Sequence, residues 1–95
     1  MADWPEPAEL KQVLDVTGED WDETLYRVLA AGIAKVKADR GGWDEATDVP
    51  DDNMAQAALR MGELLALRPE AAADTIKDPT YDRLMTGRRR VFGVG

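Results

Sequence analysis

Apolar positions recur at helical spacing along most of this chain, and the breaks in that spacing fall at glycine and proline. Leu10, Val13 and Leu14 form an i, i+3, i+4 stripe behind Pro5 and Pro7, in a first turn where a missing N–H costs nothing. The pattern predicts a helix over residues 5–14, ended by the turn Asp15-Val16-Thr17-Gly18. A second helix is predicted over residues 21–40, about 30 Å long at 1.5 Å per residue. Trp21, Leu25, Val28, Leu29, Gly32, Ile33 and Val36 share its face, and Trp21 is expected in the core. Asp20 is placed to cap it, with Asp22 and Glu23 in the first turn and Lys35, Lys37 and Arg40 towards the other end, as the helix dipole favours. Gly41-Gly42 stops it, and residues 41–50 read as a loop.

A third helix is predicted from Asp51 or Asp52 to about Leu67, and its apolar positions cover nearly the whole circumference. Gln56, Arg60 and Glu63 make its one polar stripe. A helix so apolar is buried on most sides, and in a chain this short neighbouring copies are expected to help cover it. Pro69 breaks the pattern, and residues 70–74 allow an alanine-rich turn or two. Asp78-Pro79 reads as a cap followed by proline at the first helical position. The last helix, 79–86, carries Tyr81, Leu84 and Met85 and closes at Gly87. The predicted fold is all-α: a small bundle of four to five helices over residues 1–87, with an extended C-terminal tail over residues 88–95.

Composition narrows the function. Ninety-five residues make one small domain, and a chain of that size buries only about 60–65% of its unfolded surface. There is no cysteine and no histidine, which removes disulfides, thiolate metal sites, and the commonest general base and zinc ligand. The acidic opening Met1-Ala2-Asp3-Trp4-Pro5-Glu6 lacks the apolar core of a signal peptide. No apolar run approaches a membrane span, so the protein is expected in the cytoplasm when made.

Net charge is −7 and unevenly spread. The first twenty residues hold six acids (Asp3, Glu6, Glu9, Asp15, Glu19, Asp20) against Lys11. The last fifteen reverse the sign, with Arg83 and Arg88 to Arg90 against Asp82. An acidic body opposes binding to DNA phosphates, and no helix is basic enough to serve as a recognition helix. The asymmetry between ends points to an interaction segment.

Candidate chemistry is sparse. Glu19-Asp20-Trp21-Asp22-Glu23 lacks the alternating ligands and central glycine of a calcium loop; helix capping accounts for it, and for Asp48, Asp51, Asp52 and Asn53. Nothing marks one carboxylate pair among nineteen acids for acid–base work, and no phosphate loop or nucleophile motif occurs. An enzyme is not expected, nor a metal or cofactor. Trp4 and Trp43 stand in irregular segments, where tryptophan suits either a cover over the core or a protein interface. The segment Arg88-Arg89-Arg90-Val91-Phe92-Gly93-Val94-Gly95 combines a basic anchor, one aromatic side chain and a pattern suited to an extended strand. Carboxylates on a protein partner fit it better than nucleic acid.

Residues 78–93, Asp-Pro-Thr-Tyr-Asp-Arg-Leu-Met-Thr-Gly-Arg-Arg-Arg-Val-Phe-Gly, resemble the ending of head–tail adaptor proteins of long-tailed bacteriophages, also called head–tail connector or head completion proteins. Residues 9–20 are similar to the family's opening, a short helix, an acidic turn and then a long helix. The resemblance covers most of the chain, and its C-terminal motif is the more specific. It implies a small helical bundle forming a ring of about a dozen copies beneath the portal, part of the channel through which DNA passes without specific binding. It places Arg88, Arg89, Arg90, Val91, Phe92 and Gly93 against the portal protein and a neck, stopper or tail-completion protein on the opposite face. The implied location is the virion's head–tail junction, after assembly in the host cytoplasm. With a ring in view, Met54, Leu59, Met61 and Trp43 become the expected subunit interface. The alternative is a small acidic helical regulator, antitoxin-like or an anti-repressor, binding one protein without forming a ring. The loop around Trp43 matches nothing in the family pattern.

Overall fold

A computed structural model of the chain describes residues 3–68 and 70–86. Among them lie four α-helices, α1 (Pro7–Leu14), α2 (Asp22–Arg40), α3 (Asp52–Leu67) and α4 (Pro79–Met85), with one 3-10 turn (Ala73–Thr75) and no strand. The all-α class is as expected, and the tail proposed for residues 88–95 lies outside the described residues.

Local chemistry sets the helix ends. Glu6 is extended (φ −101°, ψ 158°) because it precedes Pro7, which disfavours the helical region for the residue before it; α1 therefore starts two residues later than the proline pattern suggested. Its other end closes with Asp15 left-handed (φ 56°, ψ 44°), its N–H donating to the Gln12 carbonyl, while Val16 N–H donates to the Lys11 carbonyl at 3.0 Å. This is the Schellman arrangement, with aspartate where glycine is commonest. Lys11 then ties α1 to α2, its ammonium donating to the Gly18 carbonyl and to Asp22 Oδ1 at 2.6 Å.

Two expectations for the start of α2 are corrected. Asp20 is not its cap: Trp21 holds that position, without a side-chain capping bond. Trp21 is also not in the core but 55% exposed. The helical stripe predicts burial only for residues inside the helix, and Trp21 (φ −104°, ψ 0°) stands just before it. From Leu25 onward the stripe holds, with Leu25, Val28, Leu29, Gly32 and Val36 buried.

α2 and α3 form the central pair. Gly32 faces Ala58 and Gly62, Gly62 faces Leu29, and Leu25 shares a groove with Ala66 and Leu67, so the two helices run antiparallel. A Cβ at Gly32 would stand 2.6 Å from the Ala58 carbonyl oxygen and 3.0 Å from the Gly62 nitrogen, so glycine sets how closely the helices approach. Leu10 from α1 reaches over Gly62, and Tyr81 and Met85 from α4 close the core.

That packing answers the question raised by α3. Ala57, Ala58 and Met61 are 0% exposed, and Met54 and Leu65 no more than 5%, within this single chain. On the face from Met54 to Leu65 the helix needs no neighbouring copy to cover it. Met54 and Met61 have no surface left to give a subunit interface. Periodicity reports how much of a helix is buried, but not which chain buries it.

Candidate functional site

The first polar feature on the surface is the anchor of α4. Asp78 caps that helix, accepting from Tyr81 N–H at 2.9 Å, with Pro79 at the first helical position. The same carboxylate receives a two-pronged hydrogen bond from Arg60 on α3, Nε to Oδ2 at 3.0 Å and the Nη2 donor to Oδ1 at 3.1 Å. Arg60 also donates to Glu63 Oε1 at 3.1 Å. Three residues further, the Tyr81 hydroxyl donates to Asp39 Oδ2 on α2 at 2.7 Å, and Asp39 is held by Lys35 at 3.0 Å. One seven-residue helix is thus tied to both central helices by ionic hydrogen bonds.

The electrostatics follow from this geometry. The Arg60 hydrogen bonds hold the Asp78 carboxyl below its ordinary value, against the opposing effect of burial and with help from Tyr81 N–H. Asp78 in turn raises the Arg60 guanidinium further above its own ordinary value. Each group is committed to its partner, so the pair holds α4 against α3.

A second cluster fixes the N-terminal segment to the loop after α2. The rings of Trp4 and Trp43 lie 5.4 Å apart at 52°, an arrangement favourable for aromatic pairs. Lys37 stands 5.6 Å from the Trp4 ring and 5.8 Å from the Trp43 ring, and Arg40 stands 5.6 Å from Trp43. Lys37 pairs with Glu45 at 2.6 Å and Arg40 with Asp48 at 3.6 Å, so the cations are also neutralised. Both tryptophans are half-buried against the core, and the Trp43 indole N–H is buried with no acceptor among the described residues.

The third feature is an apolar groove at the end of the bundle where α3 finishes and α2 begins. Leu14, Val16, Trp21, Leu25, Ala66 and Leu67 line about 200 Å³ of it. Leu67 is 68% exposed, in the last turn of a helix and with no described element over it. Sequence reasoning missed this groove because Leu67 lies far along the chain from Leu14 and Trp21. The one local signal was the position of Trp21 and Leu67 at helix termini.

The predicted site residues fare differently from one another. Arg88, Arg89, Arg90, Val91, Phe92 and Gly93 lie outside the described residues. Met54 and Met61 are core. Leu59 is half-buried in a shallow groove with Val13, Arg60 and Leu84, and Trp43 sits against Trp4. All four belong to the one core cluster or pack against it, so they make no exposed face of their own. The acids weighed for metal binding act locally: Asp51 caps α3 by accepting from Met54 N–H at 2.8 Å, and Asp48 accepts from Asp44 N–H at 2.7 Å. Among the described residues no cluster of three or more acids is placed to hold a metal ion, and no helix is long and apolar enough to cross a membrane. No family model, curated protein or solved structure matches this chain.

Proposed function

We propose that this protein is a structural component of a phage neck, a head–tail adaptor that joins the portal to the tail. The observation that carries the reading is the way α4 is held. The stretch that resembles the ending of the adaptor family begins at Asp78, the residue that Arg60 fixes to α3. A basic and apolar segment, residues 88–95, follows almost at once in sequence. A short helix locked by ionic hydrogen bonds gives such a segment a fixed root, which lowers the entropy lost when it docks. The arginines pair with carboxylates of the portal, and Val91 and Phe92 supply the apolar contact. A net charge of −7 suits a channel that DNA must cross without sticking.

Met54 and Met61, committed to the core, take no part in contacts between copies in this reading. Those contacts fall to exposed apolar side chains such as Trp21, Tyr26 and Leu67. One observation favours the regulator instead: a core complete within one chain suits a protein that acts as a single copy on a single target. The experiment that separates them is a pull-down on the portal ring encoded in the same genome, full-length chain against a chain ending at Gly87. Binding lost with the tail is the expected result. Absence of binding by both forms, with the portal competent for other partners, refutes the adaptor and leaves the regulator.

A further inference from the structure

Trp4 and Trp43 form a pair whose two members are held unequally. Trp43, just past the end of α2, sits against both Lys37 and Arg40, whose own partners, Glu45 and Asp48, belong to the same loop. Trp4 has only the Trp43 ring at 5.4 Å and a share of Lys37 at 5.6 Å. Among the described residues no hydrogen bond joins residues 3–5 to the helices or to the loop; the Trp4 N–H donates to Asp3 Oδ1 at 3.0 Å, inside the segment itself. Pro5 is buried, lines a groove with Leu29, Ala30 and Ile33, and has no N–H to give. Apolar and ring contacts alone therefore keep these residues on the bundle. From Glu6 onward the chain is committed: the Glu6 carbonyl accepts from Glu9 N–H at 2.9 Å, Leu10 is 0% exposed, and Lys11 pairs with Asp22.

The closed arrangement also carries a cost. The Trp43 indole N–H is buried with no acceptor among the described residues, and a buried donor left unmade is expensive beside one that water satisfies. Ordering residues 3–5 costs backbone entropy in addition. Both oppose an aromatic pair and a shared cation, each a modest attraction.

We infer that residues 3–5 are a strap that swings off Trp43 about Glu6 while the four helices stay folded. Opening lets water reach the Trp43 N–H and leaves that ring in place against Lys37 and Arg40. The structure shows the closed state. The open state presents, at the C-terminal end of α2, an aromatic ring with a free donor and two cations beside it. Whatever reads Trp43 binds the open form alone, so the strap lowers its apparent affinity by the open fraction and acts as an autoinhibitory contact. The device lies at the N-terminal end of the chain and is independent of the portal reading.

The test is native-state hydrogen exchange of the full-length protein by NMR, read on the tryptophan indole resonances and the backbone amides. The Trp43 N–H is expected to exchange about a hundredfold or more faster than the amides of Val28 and Met61, at a rate flat in urea below the unfolding transition. Trp4→Ala should speed it about tenfold or more and leave those amides and the circular dichroism spectrum unchanged. Trp4→Phe, which keeps an aromatic ring, should fall between. A Trp43 N–H whose exchange tracks the Val28 and Met61 amides in urea overturns the inference, because only global unfolding then frees it. Exchange untouched by Trp4→Ala overturns it too, since the loop rather than the strap then uncovers the N–H. So does a Trp4→Ala protein in which the amides of α2 and α3 accelerate together with Trp43, which makes Trp4 part of the core.

Discussion

Replacing Gly32 with alanine tests whether the α2–α3 contact is as close as the fold requires. The added Cβ would stand 2.6 Å from the Ala58 carbonyl oxygen and 3.0 Å from the Gly62 nitrogen, both main-chain atoms that cannot rotate away. The helices must part by roughly 0.5–1 Å, and a gap of that size forfeits about a quarter to a half of each contact's attraction. Overpacking of this kind costs about 1–3 kcal/mol, and the rigid neighbours put Gly32 at the upper end. Alanine recovers about 1 kcal/mol of helix propensity, so the net loss is about 2 kcal/mol. For a domain of this size that lowers the midpoint of thermal unfolding by roughly 8–16 °C. Gly62→Ala is the control, because its nearest neighbours, Leu29 Cα and Cδ1, lie at 3.4 Å, the edge of ordinary contact. There the propensity gain dominates, and stability should hold or rise by up to about 1 kcal/mol. Circular dichroism melts of the two variants decide the matter. A Gly32→Ala protein as stable as wild type would falsify the account of how α2 and α3 meet.

Three further outcomes follow from the same contacts. Asp78→Asn keeps a capping oxygen but loses the charge facing Arg60, and should cost about 1.5–3 kcal/mol with early amide exchange across residues 80–85. Asp78 has a folded value held below its ordinary 3.8, so its contribution is complete above that pH and is lost as pH falls through the folded value. The stability gap between wild type and Asp78→Asn should therefore be constant near neutrality and close below about pH 4; a gap that widens on acidification contradicts the pairing. Tyr81→Phe removes the hydroxyl that donates to Asp39 and should cost about 1 kcal/mol in denaturant melts. Met61→Ala should cost about 2–5 kcal/mol in the isolated monomer, because Met61 is core; a fully stable monomer defective only in assembly would restore Met61 to a subunit interface.

What the sequence disclosed and what it hid divide along one physical line, the range of the interactions involved. Asp51 capping Met54, Asp78 capping Tyr81 and the stop at Gly41 are set within a few residues, so they could be read locally. The stripe from Leu25 to Val36 was legible for the same reason. Trp21 failed because one residue outside the helix the periodicity no longer applies. Arg60 and Asp78 are eighteen residues apart, and Tyr81 and Asp39 forty-two. No spacing rule pairs such residues, and the stripe Gln56, Arg60, Glu63 read only as the polar face of α3. The cover over α3 was hidden too, since an all-round apolar helix reads the same whether its own chain or a neighbour buries it.

A core complete within one chain also limits how copies can hold one another. With Met54, Ala57, Ala58 and Met61 enclosed, the apolar surface left for assembly among the described residues is a few side chains such as Trp21, Tyr26 and Leu67. Burying one aromatic anchor contributes about 1.5–3 kcal/mol, and exposed ion pairs add about 0–1 kcal/mol each. Each such contact alone is therefore weak, near the millimolar range or worse. Copies placed side by side on a template change the arithmetic, because linked sites gain about 10²–10⁴ in avidity without a new contact. The protein should be mainly monomeric when free and dilute, and assemble where a partner sets the copies in register. An acidic surface works in the same direction, since like charges keep free copies apart until basic tails are brought to bear.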